Sequence, residues 1–266
     1  MATRFIGRFM GCLTLTLSAL SIQAQELERS TVIDGKPDFN GIWQAMNQAN
    51  WNLEAHSAEA LDEFWKLGAV AAIPAGRSVV QEGSIPYLPE ALEERDRNRA
   101  NWPAADTEAK CYMLGIPRYT YHEQPFQIFQ SGADEMLMVY PFAAGNRVIH
   151  MGSSESLPID SWMGRSNGRW DGDVLEIVTI NQNGEGWLDR AGNHFSNELV
   201  VTERFTLLGP NHIWYEATLE DPQTYAEPWT IEMPLYRHIG SNDQLLEHKC
   251  VPFADKLLYS DLMGLE

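Results

Sequence analysis

The residues of this chain that are best suited to chemistry lie in one block, residues 162–205. Within it the loop WLDRAGNHFS places Asp189 five positions before His194. A carboxylate that fixes the tautomer of an imidazole makes it an oriented general base. The alternative is a type I turn that closes a hairpin and is capped by Asp189. Asp189 and His194 are therefore a candidate catalytic pair.

Alternation along the predicted strands adds two further candidates. In ELVVTERFTL, Glu203 shares a face with Val201 and Phe205, and in NRVIHM, His150 shares a face with Val148. A carboxylate among apolar side chains is costly to bury, so Glu203 is either a catalytic acid or the partner of an arginine. Five arginines of this region are available for such a pair: Arg147, Arg165, Arg169, Arg190 and Arg204. We predict His150 and Glu203 as the other members of the catalytic set.

Tryptophans and arginines of the same region predict a ligand pocket. Large aromatic side chains with a few convergent polar groups suit an apolar, ring-containing molecule. Arg169 or Arg190 would hold an anionic group or transition state. For each single tryptophan, ordinary core packing is the alternative. The predicted ligand-contacting residues are Trp162, Arg169, Trp170, Trp187, Arg190 and Trp229.

No organic cofactor and no metal are expected. The chain has no G-x-G-x-x-G after a strand, no P-loop and no G-x-S-x-G elbow. Residues 181–189 partly imitate an EF-hand loop, but Gly192 stands where the bidentate glutamate belongs, so we interpret the segment as a turn. The histidines show neither H-x-H nor H-E-x-x-H spacing, which leaves His150, His194, His248 and Glu203 without a metal-binding pattern.

The elements that must position these residues are strands. Eight runs alternate between apolar and polar residues and are separated by turn signals, with no long helix between them, so antiparallel hairpins and meanders are expected. They predict a mainly β fold, a calycin-like antiparallel barrel with a sandwich as the alternative, over residues 111–266. The runs are 126–130, 135–142, 146–151, 173–180, 198–207, 212–220, 229–237 and 244–250.

The preceding segment, residues 25–110, is predicted to be a partly helical, irregular arm in one globular unit with the barrel. Apolar spacing favours an amphipathic helix over residues 52–67. Proline at its start favours a second helix over residues 89–101. Residues 37–44 are expected to dock on the barrel.

Residues 1–24 resemble an export signal. Two early arginines precede a short apolar run, which is below the roughly 20 residues of a spanning helix, and Ala24 suits cleavage. A lipoprotein anchored through Cys12 is the weaker alternative, because the apolar core follows that cysteine. We therefore expect a periplasmic or secreted protein without a membrane span.

The net charge and the cysteines indicate which partners and which redox compartment to expect. The formal net charge of −18 becomes −20 after cleavage, so nucleic acid and anionic lipid are not expected partners. Cys111 and Cys250 then remain. An oxidising compartment favours a disulfide between them, worth ~4–5 kcal/mol in the chain-entropy model, over two separate thiols.

Several blocks together resemble a widespread group of exported proteins from environmental bacteria. They are PDFNGIWQ, EAKCYMLGIPR, PFQI, SWMGRSNGRWDGDVLEI, WLDRAGNHFSNELVVTERF and DPQTYAEPW, within residues 37–230. The group commonly has PDLSGxW, CxxPGxPR, GxWxGDTLVVxT, WLDxxGxxHSxxLxxxERF and DPxxxxxPW. Here Val174 and Glu176 depart from the third pattern, and Phe195 separates the His and Ser of the fourth. The resemblance implies export but no particular activity or site residue.

Two functions follow as hypotheses. The first is a cofactor-independent enzyme, a lyase, isomerase or hydrolase, that uses Asp, Glu and His on an apolar cyclic molecule. The second is a periplasmic carrier or sensor that holds such a ligand without turnover. A structural role in an envelope assembly is a third possibility. The sequence does not decide the oligomeric state.

Overall fold

The computed structural model describes residues 32–61, 72–254 and 257–258, and its main feature is a closed barrel of nine strands. The predicted mainly β barrel is confirmed, and the sandwich alternative is excluded. The order around the barrel is β10-β11-β12-β13-β3-β6-β7-β8-β9. Its strands are β3 (Gly41–Ala45), β6 (Phe126–Gln130), β7 (Glu135–Tyr140), β8 (Gly145–Met151), β9 (Arg165–Asp171), β10 (Val174–Ile180), β11 (Val200–Gly209), β12 (His212–Glu220) and β13 (Trp229–Arg237).

The smaller elements lie outside this wall. Helix α1 spans Pro89–Ala100, and the one-turn helix α2 spans Arg118–Tyr121. Two short strand pairs are β1 (Val32–Ile33) with β2 (Lys36–Pro37), and β4 (Glu59–Ala60) with β5 (Ala72–Ile73). A 3-10 helix, Phe142–Ala144, completes the described elements. The predicted helix with proline at its start is confirmed as α1. It is mostly charged and buries only Ala91.

The helix predicted over residues 52–67 is wrong in its described part. Residues 52–61 form turns and β4, and residues 62–67 lie outside the described residues. The physical reason is tertiary: Leu53 is fully buried, and its backbone N–H donates to the Asp189 carboxylate at 2.8 Å. Burial of that carboxylate therefore outweighs the local helical spacing.

Period-two alternation holds along most of the wall. On β12, for example, Ile213, Tyr215, Ala217 and Leu219 are fully buried, and the residues between them face outward. Two strands were not predicted. β3 was expected only to dock on the barrel, and β9 was expected to be a break, because Gly164 and Gly172 flank it. Both glycines have positive φ, +60° and +61°, and form the turns at its two ends.

The run 244–250 is not a strand, and this prediction is wrong. Its residues have no regular secondary structure and are mostly exposed. The segment is instead joined to the body through the disulfide between Cys111 and Cys250, whose Cα atoms are 5.7 Å apart. The predicted disulfide is therefore confirmed.

One pair of neighbouring strands is parallel, against the expectation of hairpins and meanders alone. β8 and β9 pair only over Ile149–Met151 and Ser166–Gly168, with Ile149 opposite Ser166. This arrangement arises because residues 152–164 run back along the barrel before β9 begins. The remaining pairs of the barrel are antiparallel.

The strand directions place the long connections at one end of the barrel, here called the connection end. Residues 46–125, 181–199 and 221–228 join strands there, whereas residues 131–134, 172–173 and 210–211 make short turns at the other end. Loops that are far apart in the sequence therefore meet at the connection end.

The predicted boundary between arm and barrel, residue 110/111, is also incorrect. β3 belongs to the 25–110 segment and pairs with both β13 and β6. Val80 forms a bridge with Ile231 of β13, so the same segment also extends the wall there. The apolar core is shared between the two parts because Phe39, Trp43 and Leu53 are fully buried. Among the described residues, no helix is long and apolar enough to span a membrane.

Candidate functional site

Glu203 lies inside the barrel and is paired. Its two oxygens accept from Arg147, which also donates to the hydroxyls of Thr179 at 2.7 Å and Ser166 at 2.7 Å. Tyr215 donates to Glu203 at 2.9 Å. All five residues are at most 3% exposed. Of the two interpretations of Glu203, the geometry supports the structural ion pair.

The helix α2 caps this interior network at the connection end. The hydroxyl of Tyr119 donates to the carbonyl of Phe142, and that of Tyr121 donates to the carbonyl of Leu188. All four residues of α2 are essentially buried. The interior pair is consequently separated from the loops of the connection end by a packed turn of helix.

Arg118, at the start of α2, organises a second charged cluster. Its guanidinium is fully buried and donates to both oxygens of Asp106, at 2.9 and 3.1 Å, and to Glu108 at 2.6 Å. Asn50 accepts from the Arg118 Nε at 2.8 Å. Burial and the two carboxylates act in opposite directions on the pKa of Arg118, and the net effect raises it.

Glu108 links Arg118 to Arg190. Arg190 donates to both oxygens of Glu108, at 2.9 and 2.6 Å, and also to Glu123 at 2.7 Å. Burial alone would raise the pKa of Glu108, but Arg190 and Arg118 hold it well below its usual range. The ring of His122 lies 3.1 Å from the same carboxylate. Glu108 is therefore a carboxylate held in its charged form between two arginines.

Asp189 joins two loops and does not orient His194. Its oxygens accept from the backbone N–H groups of Leu53, Ala191 and Asn193, at 2.8, 3.0 and 3.2 Å. The amide of Asn193 donates a fourth bond at 2.6 Å. Burial raises the pKa of Asp189 to about 6 despite these bonds. The predicted catalytic pair is therefore wrong, because the carboxylate is occupied in tying residue 53 to the 189–193 turn.

His194 lies against an aromatic cluster instead. Its ring stacks on Tyr87 with centroids 5.7 Å apart, and its Nε2 is 3.7 Å from an oxygen of Glu94 on α1. Its main-chain carbonyl accepts from Tyr225. Burial lowers the pKa of His194, although Glu94 acts in the opposite direction. The histidine is therefore neutral near pH 7 and is packed under α1.

A cavity of about 320 Å³ opens beside the Glu108 cluster. Trp51 and Trp102 form part of its wall, with ring centroids 5.8 Å apart and planes inclined at 55°. The Arg190 guanidinium lies over the Trp51 ring, 4.3 Å from its centroid. Arg99 of α1 also contributes to the lining. Its remaining described lining residues are Asn52, His56, Ser57, Glu59, Ala60, Leu61, Ile73, Ala100, Pro103 and Ala191.

The other predicted site residues do not converge on this cavity. His150 is on the outer face of β8, beside the half-exposed Val148, and Arg169 is on the outer face of β9, where it pairs with Glu176. The catalytic prediction for His150 assumed an inward face, and that assumption is wrong. The alternation of NRVIHM is real, but Arg147 and Ile149 occupy the buried face.

The predicted tryptophans are dispersed through the fold. Trp187 and Trp229 are buried, at 6% and 4% exposure, and Trp162 packs on Tyr112. Trp170 lies at the opposite end of the barrel, against Phe39. The prediction that these tryptophans form one pocket is wrong, because three of them pack in the core or in a loop. The fourth lies at the end of the barrel opposite the connection end. Arg190 is the predicted ligand-contacting residue that does line the cavity.

Sequence reasoning missed the residues that build the connection end. Trp51 immediately precedes the helix predicted over residues 52–67, and neither Trp51 nor Trp102 was considered as a site residue. Arg118, Asp106 and Glu108 fall in or near the block EAKCYMLGIPR, which entered only through the resemblance. Two tryptophans next to segments of high charge were the available signal. Among the described residues, no three His, Cys, Asp or Glu side chains are grouped as ligands for a metal ion.

Comparison of the chain with protein-family models, with curated proteins and with solved structures finds no match in any of the three. The resemblance to exported bacterial proteins therefore stays a prediction.

Proposed function

We propose that this protein is an exported binding protein that holds an apolar, ring-containing small molecule in the cavity lined in part by Trp51 and Trp102. The observation that carries the proposal is the cavity itself, about 320 Å³ in volume and walled by two inclined indole rings. Ligand sites in proteins are clefts of roughly this size or larger, mostly apolar and with few polar groups.

The lining also suggests how a ligand is oriented. Trp102, Ile73 and Ala191 offer apolar surface, and an aromatic ligand ring stacks well on an indole face. One face of Trp51 is already covered by Arg190, so Trp102 is the better stacking partner. Arg99, whose side chain is about half exposed, provides a polar contact at the rim.

Binding without turnover is favoured over the enzyme hypothesis by the state of the buried acids. Glu203 is neutralised by Arg147, and Asp189 accepts four N–H bonds. Glu108 is held charged between two arginines, which does not suit a group that must exchange a proton. These three buried acids are thus engaged in holding the fold together.

Export is supported by two features. Residues 1–24 have the charge and apolar pattern of a secretory signal, although they lie outside the described residues. The disulfide between Cys111 and Cys250 suits an oxidising compartment.

Tryptophan fluorescence tests the proposal directly. The mature protein is titrated with a panel of naphthalene-, indole- and steroid-type compounds, and quenching is expected for at least one class. Trp102→Leu is expected to weaken that binding roughly fivefold, because a stacking contact is worth about 1 kcal/mol beyond the buried area. Trp214→Leu, on the outer wall of β12, is the matched control and should bind normally.

Two results would contradict the proposal. One is unchanged fluorescence over the whole panel. The other is equal loss of affinity in the Trp102 and Trp214 variants. Native mass spectrometry of protein purified from its own host adds an independent readout, since a retained organic mass would identify the ligand class. Conversion of a bound compound to product would restore the enzyme hypothesis.

A further inference from the structure

The outer wall of the barrel carries an apolar row that the ligand cavity does not involve. Phe129, Leu137 and Val148 lie opposite one another on β6, β7 and β8. Phe129 is 45% exposed and Val148 is 55% exposed. In a barrel filled by its own side chains, outward positions are normally polar, so three aligned apolar residues there need an explanation.

The other side of the wall shows the usual pattern. Across β10 to β13 one outward row is charged and the next is rich in threonine, and Thr218 bonds Thr230 at 2.9 Å. The apolar row of β6–β8 contrasts with these two rows. The charged row consists of Glu176, Arg204, Glu216 and Glu232, and the other of Val178, Thr202, Thr218 and Thr230.

The apolar row lies in a groove of about 780 Å³ with an acidic border. Asp134, Glu135 and Glu155 line this groove, together with one cation, Arg165, which is paired with Glu155 at 2.8 Å. The border thus has a net negative charge in a chain whose total is −18. Such a surface repels a second copy of this chain and attracts a basic partner.

The neighbouring strand edge is incompletely paired. β8 begins at Gly145, but its pairing with β9 starts at Ile149. Gly164, at φ +60°, lies close to the carbonyl of Ile180, and Leu157 and Met163 face residues 146–148 across a small cavity. This cavity has a volume of about 120 Å³, and Val148 and Arg165 line both it and the groove. Within the described residues, no strand lies beside residues 146–148 on the β9 side.

We propose that this groove is a docking surface for an extended, basic segment of another protein. One end of the segment pairs as a short strand with residues 146–148 of β8, and the rest crosses the outer face of the wall, where its apolar side chains pack on Val148, Leu137 and Phe129. Backbone hydrogen bonds supply affinity in this mode of recognition, and the side-chain pockets supply specificity. Lysine or arginine side chains on the same segment meet the acidic border.

A display library of random 12-residue peptides tests this surface. The mature protein is immobilised at an ionic strength of about 0.15 M, which screens exposed charges beyond roughly 8 Å. Enriched peptides are expected to alternate apolar and basic residues. Val148→Lys should weaken their binding at least tenfold by calorimetry, whereas Thr218→Lys, on the opposite wall, should not. Amide exchange at residues 146–148 should slow when the peptide is bound.

Enriched peptides that bind the Val148 and Thr218 variants equally well would overturn the proposal. So would peptides that are basic but lack apolar residues, since these would report only a negative surface. Peptide binding that leaves the exchange of residues 146–148 unchanged would refute strand addition. Both lysine variants place the new charge at outward positions, and equal melting temperatures would confirm that folding is intact.

Discussion

At the scale of single residues, the protein buries carboxylates in two different ways. Glu203 is paired with a guanidinium inside the barrel. Asp189 has no such direct partner among its hydrogen bonds and accepts only N–H groups. Arg118 lowers its pKa through space, and the Asp189 charge in turn raises the pKa of Tyr87 and of Tyr121. The two sites therefore respond differently to pH and to mutation.

Stability should fall with rising pH because of Asp189. Burial raises its pKa from 3.8 to about 6, so the folded state retains a proton that the unfolded state has already released. Between pH 4 and pH 7 the loss is on the order of 3 kcal/mol. Asp189→Asn removes this titration. The free energy of unfolding of the wild type, minus that of the variant, should then decrease over this range in urea titrations.

Asp171→Asn, at an exposed carboxylate of β9, corrects for the removal of one negative charge. A wild-type-minus-Asp189→Asn difference that stays constant from pH 4 to pH 7 would contradict the assigned shift.

Removing the Glu203 charge alone should cost more stability than removing the charges of both Glu203 and Arg147. Glu203→Gln leaves the buried Arg147 charge uncompensated and should cost about 3–5 kcal/mol of stability. Adding Arg147→Met removes that charge and should recover part of the loss. Glu155→Gln, in an exposed pair with Arg165, should cost at most about 1 kcal/mol. Urea denaturation of the four proteins checks this, and a double variant weaker than Glu203→Gln would count against it.

At the scale of elements, α1 depends on one close backbone contact. The helix is mostly charged and buries only Ala91, so its apolar face contributes little. Gly192 lies directly beneath it, and the amide of Asn98 donates to the Gly192 carbonyl at 3.3 Å. A Cβ at Gly192 would lie 2.6 Å from the Arg99 nitrogen and 2.7 Å from the Arg95 oxygen. Since Arg99 and Ala100 line the ligand cavity, this contact also shapes the cavity.

Gly192→Ala should therefore displace α1. Gly83→Ala is the matched control, because its φ of +84° is close to the +87° of Gly192 and nothing lies within 4 Å of its added Cβ. Both variants incur the left-handed backbone cost of roughly 1 kcal/mol, and overpacking should add about 1–3 kcal/mol only at Gly192. Faster amide exchange in α1 of the Gly192 variant, and not of the Gly83 variant, is the expected result. Equal exchange in both would show that α1 is held elsewhere.

At the scale of the whole molecule, the segment that follows β13 is held by contacts with distant parts of the chain and not by secondary structure. Residues 238–254 follow β13 and, up to Phe253, contain no strand or helix. The Cys111–Cys250 disulfide ties them to the 46–125 connection across 139 residues. The ring of His248 packs on Phe142 with centroids 5.7 Å apart, close to the start of β8. The disulfide is the covalent constraint on this part of the fold.

Loss of that constraint should lower stability measurably. The chain-entropy model gives about 4–5 kcal/mol for a loop of this length. The Cys111→Ser/Cys250→Ser double variant should melt at a lower temperature than the oxidised wild type in calorimetry. Reductant should bring the wild type to the same value and leave the double variant unchanged. A reductant effect on the double variant would mean that something other than this bond is being measured.

Local sequence patterns account for most strands of the wall and for α1. Period-two alternation predicts seven strands of the wall, because each strand has one face on a packed interior and one face on solvent. Apolar and polar residues therefore alternate along each of these strands. Proline at its first position marks α1 for an equally local reason. The disulfide followed from composition, since only two cysteines remain after residue 24. The burial of Glu203 also followed from its face of β11.

The contacts between groups that are distant in the sequence depend on the fold as a whole. Asp189 binds Leu53 across 136 residues, and Arg190 binds Glu108 across 82. No local period encodes such partners, because they depend on which loops the strand order brings to the same end of the barrel. For that reason the Asp189–His194 pair was wrong and the cavity of Trp51 and Trp102 was missed. The parallel pairing of β8 and β9 likewise depends on the path of residues 152–164. The burial pattern within a single strand does not reveal that path.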